Sequence, residues 1–299
     1  MEFRQLQHFL AVAEEGNFHR AAGRVNLTQQ AVSKSIAQLE HSLGVRLFDR
    51  TRQSVTLSPF GELLLPHARS VDAELRCFQD NLATMLGTKT GIVRIGASPT
   101  LLNQLLPTAL KILHAARPQV RIHVERGDFD TLSRLMLRGE LDVVLSTEPA
   151  APVDELIAVE RLREDRIVVV ARPGHPLAGT RAVKAAELAA VPWLAIANFP
   201  KAEQDFRALF AAEKLKPPHP ALTTTSVVFA LNWLQQSDFL CLLPEQLAGR
   251  ELANKRLTEI KTLLKPRRWP LVVAYRRNAT RSPATLALIA AAKTAAQTS

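Results

Sequence analysis

Residues 28–40 of the chain read TQQAVSKSIAQLE and combine two periodic patterns. Val32, Ile36 and Leu39 recur at steps of four and three and continue to Leu43, which is the spacing of one buried helix face. Thr28 can cap the N-terminus of this helix, and Gly44 can end it. The opposite face carries polar or slim side chains: Gln30, Ser33, Lys34, Ala37 and His41. A helix that enters the DNA major groove end-first needs hydrogen-bonding groups at that end.

The flanking segments predict a compact module around this helix. Residues 3–13 show helical spacing up to Gly16, Asn17 can cap a second short helix, and residues 47–58, LFDRTRQSVTLS, predict a hairpin with a basic turn. A solvent-facing helix can carry Gln, Ser and Lys for solubility alone, so the third helix by itself is weak evidence. Three short helices followed by a basic hairpin are a much more specific arrangement. The hairpin turn would reach phosphates or a minor groove through Arg50, Arg52 and Gln53.

Net charge alone would place a DNA-binding site at the C-terminal end of the chain, away from the predicted N-terminal module. The 299 residues carry a formal net charge of +10, but the last forty positions hold eight basic residues and no acidic one, whereas the first sixty hold seven basic and five acidic residues. Basicity can mark a polyanion partner or serve solubility. The pattern of residues therefore decides where DNA would bind.

Residues 9–68 resemble the winged helix-turn-helix of LysR-type transcriptional regulators. The resemblance includes the elements AA, Q-x-A-V-S, LE-x-x-LG-x-x-LF-x-R and T-L-x-x-x-G. It implies that Gln29, Gln30, Ser33 and Lys34 face bases or flanking phosphates, and that the wing carries Arg50 and Arg52. Asn17 replaces the more usual Ser, and Gln30 replaces a frequent Pro, so base preference at Gln30 is open. The predicted DNA-binding residues are Thr28, Gln29, Gln30, Ser33, Lys34, Arg50, Arg52 and Gln53.

A long linker helix is predicted after the module. Ser58 and Pro59 form a helix start, and apolar residues then repeat every three or four positions as in a coiled coil. The alternative is a helix that packs on its own domain's core. GTKTG at 87–91 predicts a hinge. The predicted dimerisation residues are Leu64, Ala68, Val71, Leu75, Phe78 and Leu82, with Met85 continuing the repeat.

From Ile92 onward, strand patterns alternate with helical ones, which predicts an α/β domain of one or two lobes. The fold class is α/β with an N-terminal winged helix-turn-helix, a long linker helix and, as the resemblance implies, a two-lobed effector domain like a periplasmic binding protein. The predicted domains are 1–58, 59–90 and 91–299, with lobe 1 at 91–161 and 267–299 and lobe 2 at 162–266.

The sequence contains no recognised catalytic motif. G-x-S-x-G, H-E-x-x-H, P-loop and G-x-G-x-x-G patterns are missing, the histidines are scattered, and Cys77 and Cys241 are too far apart for a metal or disulfide framework. We expect no enzyme activity, no cofactor and no metal site, with both cysteines buried. The N-terminus has no signal-peptide pattern and no apolar run suits a membrane span, so we expect a cytoplasmic protein without a membrane partner.

A ligand site is expected where the strands of the α/β domain end, since small molecules bind beyond the carboxyl ends of strands in open sheets. Several candidates open helices, whose free N–H groups favour an anion. Each candidate could instead be a simple helix cap. The predicted effector-binding residues are Ser98, Thr100, Phe129, Asn198, Phe199 and Ser226.

These patterns together predict a sequence-specific DNA-binding transcriptional regulator, controlled by a small anionic metabolite bound between two lobes. The expected partners are double-stranded DNA, a small-molecule effector and further copies of the chain as a homodimer or homotetramer, with RNA polymerase as a further candidate. One alternative is an architectural DNA-binding protein without a ligand. A second alternative is a solute-binding or enzymatic α/β protein with an incidental helical arm.

Overall fold

A computed structural model describes residues 1–50, 55–86, 91–197, 200–211, 213–263 and 267–298 of the 299-residue chain. Among the helices formed by these residues, none is long and apolar enough to cross a membrane. Nor do the described ranges bring three His, Cys, Asp or Glu side chains together as metal ligands. Cys77 and Cys241 are both buried, as expected, and neither forms a disulfide with a described residue.

The N-terminal module consists of three short helices and a hairpin: α1 Phe3–Glu15, α2 Phe18–Arg24, α3 Gln29–Leu43, β1 Phe48–Arg50 and β2 Val55–Leu57. The predicted helix ends are confirmed. Asn17 Oδ1 accepts a hydrogen bond from His19 N at 2.8 Å, and Thr28 Oγ1 accepts one from Ala31 N at 3.2 Å. Gly44 ends α3 with a left-handed φ of 72°, a conformation that glycine adopts without strain.

The apolar face of α3 forms the centre of this module. Val32, Ile36 and Leu39 are fully buried against α1, α2 and the hairpin. The prediction that Leu43 belongs to the same face is wrong, because Leu43 is 40% exposed. Phe48 of the hairpin, whose ring centroid lies 5.3 Å from that of Phe9, fills the core in its place.

The linker helix α4 spans Pro59–Met85 and begins as predicted, with the Ser58 hydroxyl accepting a hydrogen bond from Gly61 N at 3.1 Å. Gly61 allows a very close approach between α4 and the hairpin. A Cβ atom at this position would lie 2.1 Å from the carbonyl oxygen of Leu47. The glycine of the T-L-x-x-x-G element is therefore required by packing. The hinge predicted at 87–91 falls mostly outside the described residues, since only Gly91 is described.

Lobe 1 begins after this gap and is completed by the C-terminal segment of the chain. It comprises β3 Gly91–Ala97, α5 Pro99–Leu102, α6 Leu105–Ala116, β4 Val120–Arg126, α7 Phe129–Leu137 and β5 Val143–Thr147. The strand β6 Ile157–Ala171 then leads into lobe 2. Asn103 and Gln104 separate α5 from α6.

Lobe 2 comprises α8 Ala185–Ala189, β7 Trp193–Ile196, α9 Pro200–Ala211, β8 Leu222–Thr224, α10 Val227–Gln236, β9 Leu240–Pro244, α11 Glu245–Ala253 and β10 Thr258–Ile260. The chain then returns to lobe 1 through β11 Arg268–Arg276 and ends in α12 Pro283–Thr298. The strand β6 has 15 residues, whereas β10, which was not predicted, has only three.

One continuous sheet joins the two lobes. Its strand order is β4-β3-β5-β11-β6-β9-β7-β8, with β10 paired to β6. β6 pairs with β11 up to Arg166 and with β9 from Ile167. The change of partner thus lies five residues beyond the predicted boundary at 161/162, which stays a prediction. β6 and β11 are the two strands that cross between the lobes.

Candidate DNA-binding surface and effector cleft

The face of α3 that was predicted to read DNA is open to solvent. Gln29, Gln30 and Lys34 are exposed and Ser33 is half-buried. Among the described residues, none of these four side chains has a hydrogen-bonding or ionic partner. Ser35, on the inner side, is used internally, because its Oγ lies 2.7 Å from Nδ1 of His8 in α1. The outer face therefore keeps its donors and acceptors free while the inner face fixes the helix in the module.

The wing is formed by β1 and β2, which pair antiparallel through Phe48↔Leu57 and Arg50↔Val55. Glu40 of α3 holds the start of this hairpin, since its Oε1 accepts a hydrogen bond from Leu47 N at 2.8 Å. The predicted wing residues Arg52 and Gln53 lie outside the described residues, as does the side chain of Arg50. The described part of the wing therefore consists of its two strands, which Glu40 holds beside α3.

The predicted seam of α4 is divided between two environments. Ala68 is buried and Leu64 is half-buried against the core of the N-terminal module. Their expected place in an intermolecular seam is corrected, because the hairpin and α1 already cover this face. Leu75 is half-buried, whereas Phe78 is 59% exposed. At 100° per residue, the exposed apolar positions instead form one stripe: Phe60, Leu63, Val71, Phe78, Leu82 and Met85.

Another face of α4 packs on lobe 1. Arg76 Nη2 donates a hydrogen bond to Gly139 O at 2.9 Å, and Cys77 Sγ donates to Thr280 O at 3.3 Å. The linker helix is thus held by the N-terminal module at one end and by lobe 1 further along. The stripe defined above is left without a covering element in the part of the chain that the structure describes.

In lobe 1, the predicted effector residues lie at the carboxyl ends of β3 and β4 but are deeply buried. Ser98 precedes α5, is 6% exposed, and its buried Oγ has no hydrogen-bond partner among the described residues. Thr100 is 1% exposed. Phe129 packs in a core cluster with Leu132 and Met136, so its position is that of a core residue. The helix predicted to supply several free N–H groups, α5, has only one turn.

In lobe 2, Ser226 is the described candidate. It caps α10, because its exposed hydroxyl accepts a hydrogen bond from Phe229 N at 3.2 Å. Asn198 and Phe199 lie outside the described residues. Ser226, at the end of β8, is therefore the predicted lobe 2 residue whose position the structure describes.

A polar contact joins the two lobes and was not predicted from the sequence. Gln246, fully buried at the start of α11, accepts a hydrogen bond from Leu105 N at 3.0 Å and donates from Nε2 to Gln104 Oε1 at 3.3 Å. Asn103 Nδ2 donates to Leu247 O at 2.8 Å. We call these residues the inter-lobe latch. In the structure, the chain leaves the helix between α5 and α6 at the point where the latch forms.

Asp165 supports this latch from the crossing strand β6. Its carboxylate accepts a hydrogen bond from Gln246 N at 3.2 Å and so caps α11. Asp165 is almost fully buried, and this burial raises its pKa to about 7. The hydrogen bond from Gln246 N opposes the shift because it favours the charged carboxylate. The contact between the lobes thus includes one carboxyl group that titrates near neutral pH.

Two family descriptions match almost the whole chain. Residues 3–62 match "Bacterial regulatory helix-turn-helix protein, lysR family", and residues 87–297 match "LysR substrate binding domain". The first range covers α1 to the start of α4, and the second covers the two lobes.

Similar proteins and structures agree with these matches. The chain is 38% identical over 193 residues to an SDS degradation transcriptional activation protein of a Pseudomonas species, an alignment that covers 64% of this chain and 63% of that protein. It is 30% identical to the HTH-type transcriptional regulator GalR of Pseudomonas putida over 96% of this chain and 72% of that protein.

Among solved structures, a full-length OxyR variant from Pseudomonas aeruginosa has a TM-score of 0.73 at 21% identity, covering 99% of this chain and 95% of that chain. Full-length CbnR in complex with its target DNA has a TM-score of 0.67 at 20% identity, and the match covers 99% of this chain and 100% of that chain. These likenesses show the fold. The chain therefore belongs to the LysR family of bacterial transcriptional regulators, and it joins the family's helix-turn-helix DNA-binding domain to the family's effector-binding domain.

Proposed function

We propose that this protein regulates transcription as a homodimer or homotetramer that binds a specific operator and responds to a small anionic metabolite. In this proposal α3 reads base edges in the major groove, and the wing contacts the flanking backbone. The apolar stripe on α4 supports the dimer. Because a two-fold dimer presents two α3 helices, its operator would be an interrupted inverted repeat.

The polar face of α3 is the observation that carries this proposal. Gln29, Gln30, Ser33 and Lys34 crowd the first turns of a helix whose other face is fully buried. Their side chains have no partner among the described residues, so their hydrogen bonds are available to bases and phosphates. Amide side chains can pair bidentately with adenine, and a slim Ser allows close approach.

An operator can be obtained by selecting DNA from a random-sequence pool with the full chain. We expect Gln29→Ala and Ser33→Ala to weaken operator binding by about 1–3 kcal/mol, but to change binding to random DNA much less, because only base contacts are lost. Gln38→Ala is the matched control, since Gln38 is exposed in the same helix, more than two turns beyond Gln29. Equal losses on both DNAs would remove the base-reading role of α3.

The selection also separates this proposal from an architectural DNA-binding protein. That alternative would place DNA on the basic C-terminal segment, but most of those cations have intramolecular partners. Arg268 pairs with Glu164, Arg277 donates to Ile157 O, and Lys293 pairs with Glu160. A selection that yields no preferred sequence would favour the architectural function.

The effector part of the proposal is supported by the hydroxyl of Ser98. A buried hydroxyl without a partner is unusual in a folded protein, and a ligand could satisfy it. Ser98 follows β3 at the sheet edge where such ligands bind. A ligand held there and by Ser226 of lobe 2 would favour one arrangement of the lobes and so change the operator contacts.

A thermal-shift screen of metabolites on the full chain can identify the effector, because a ligand that binds the folded state raises its apparent stability. We expect an anion. Thr100→Val keeps the shape of the side chain and removes its hydroxyl, and should weaken the response to that compound while leaving effector-free DNA binding unchanged. Thr108→Val in α6 is the matched control. An unaltered Kd in Thr100→Val would assign Thr100 to packing, and a cationic or wholly apolar effector would contradict the anion.

A further inference from the structure

Lobe 2 contains a cavity of about 360 Å³ on the side of β6 where β10 and α9 pack. This volume lies at the lower end of the range for small-molecule sites. The described effector candidates Ser98, Thr100, Phe129 and Ser226 do not line it. Its charged lining consists of four basic and two acidic side chains: Arg166, Arg181, Lys261, Arg267, Asp205 and Glu259.

Both acidic side chains of the cavity are already engaged. Asp205 of α9 is buried, accepts a hydrogen bond from Trp269 Nε1 at 2.6 Å and pairs with Arg267. Glu259 of β10 pairs with Arg166 at 2.8 Å. A second carboxylate, from Glu245, lies 3.0 Å from Arg166. Two of the four cations are thereby compensated, and the acidic groups that could repel an anion are neutralised by them.

Arg181 and Lys261 are different, because no carboxylate of the described residues lies within ion-pair distance of either one. Backbone contacts join the segment that follows Arg181 to the segment that contains Lys261. Val183 N donates to Lys261 O at 2.9 Å, and a parallel bridge joins Val183 to Thr262. Two neighbouring cations that line one concave surface create a positive potential, which attracts a negatively charged ligand.

Apart from Thr262, the remaining side chains that line the cavity are apolar. Ile167, Val169 and Ile260 are buried, and Leu209 and Leu242 are half-buried. Such a wall suits a short hydrocarbon or ring, with its charged group at the cationic side. The guanidinium of Arg181 can bind carboxylate or phosphate bidentately, and the Lys261 ammonium can add a point charge.

We propose that this cavity is a second ligand site, separate from the Ser98 cleft, for a small dianion with a short apolar body. Arg181 and Lys261 bind the charged group, which is a phosphate monoester or a dicarboxylate. The cavity also contains Arg166 and Arg267, the residues at which β6 and β11 cross between the lobes, with Ile167 N donating to Arg267 O at 2.9 Å. An occupant here therefore contacts the crossing point itself.

Titration calorimetry of the full chain at constant ionic strength tests this site. The probes are phenyl phosphate, succinate and inorganic phosphate, with benzyl alcohol as the uncharged comparison. We expect saturable binding of phenyl phosphate or succinate at one site per chain. Arg181→Ala/Lys261→Ala should weaken it by about tenfold or more, because charge-assisted hydrogen bonds are lost. Circular dichroism of each variant verifies folding.

Two further variants make the result specific. Lys111→Ala/Arg250→Ala removes two exposed cations outside the cavity and should leave binding unchanged. Thr100→Val should also leave it unchanged, which separates this site from the proposed effector cleft. Preference for phenyl phosphate assigns a phosphate ester, and preference for succinate assigns a dicarboxylate. Three results would refute the site. The first is that no dianion binds saturably, and the second is that both double variants weaken dianion binding equally. The third is that Thr100→Val alone abolishes dianion binding.

Discussion

The polar face of α3 and the polar groups between the lobes differ in how much of their hydrogen-bonding capacity is already used. On α3, Gln29, Gln30 and Lys34 are exposed and have no partner within the described chain. Between the lobes, Gln246 is fully buried and bonded on both sides. A surface for a large, wet partner such as DNA can keep its groups hydrated until binding, whereas buried groups need internal partners.

The two regions also differ in how far apart in the sequence their supporting residues lie. The polar face of α3 is positioned by residues within the first sixty positions of the chain. The latch joins side chains 142 positions apart. We therefore expect substitutions in the N-terminal module to affect DNA binding without changing the lobes, and substitutions in the latch to affect the lobes first.

The largest expected effect tests the rigidity of the N-terminal module. Gly61→Ala would place a Cβ 2.1 Å from Leu47 O, and a backbone atom cannot move away cheaply. We expect a loss of about 3 kcal/mol in stability, at the upper end for overpacking, together with loss of operator binding. Gly23→Ala is the control, because its Cβ would meet nothing within 4 Å in helix α2. Chemical denaturation of both variants measures the difference, and equal midpoints would contradict the close approach.

The second prediction concerns the apolar stripe on α4, which would bring two N-terminal modules together. Phe78→Glu places a charge in the proposed dimer contact, where the same residue of the second copy would add a like charge. We expect dissociation to monomers, measured by light scattering, with a loss of operator affinity of about tenfold or more. Gln79→Glu adds the same charge at the next, also exposed, position. An intact oligomer in Phe78→Glu would exclude this stripe as the interface.

The third prediction uses the titration of Asp165. Its pKa is raised to about 7 in the folded state, above the unfolded value near 4, so the folded protein binds more protons between these values. Stability should therefore fall as pH rises from about 5 to 8. Asp165→Asn can still accept the hydrogen bond from Gln246 N and should reduce this fall by about 2 kcal/mol. Urea denaturation at pH 5 and pH 8 measures it, and identical pH profiles would show that Asp165 is not the responsible group.

The smallest expected effect separates the latch from ordinary polar contacts. Gln246→Ala leaves Leu105 N without its acceptor and should cost about 1–2 kcal/mol. Hydrogen exchange at Leu105 should accelerate while the amides of α3 stay protected. Gln235→Ala, which removes a half-buried amide bonded within its own helix, is the control. Unchanged exchange at Leu105 would argue against a latch.

Much of the fold could be predicted from local pattern, as individual elements show. The caps Asn17, Thr28 and Gly44 depend on a few neighbouring residues, and the apolar strands of both lobes are visible as runs. The candidate site was predicted less completely. Phe129 follows a strand as a ligand residue would, but it packs in the core, and Gln104 and Gln246 carried no local signal.

By itself, the sequence determined the elements of the N-terminal module, the polar face of α3 and the membership of the LysR family, because periodicity and short motifs act over one or two turns of chain. Only the tertiary structure decided which faces of the long helix α4 are buried. It turned Leu64 and Ala68 of α4 toward the module's own core and left Phe60 and Leu63 exposed. It also joined Gln104 to Gln246 and brought Arg181 beside Lys261. These contacts depend on how the helices of the two lobes and the long helix α4 pack around the sheet, and residues distant in sequence carry no local record of that packing.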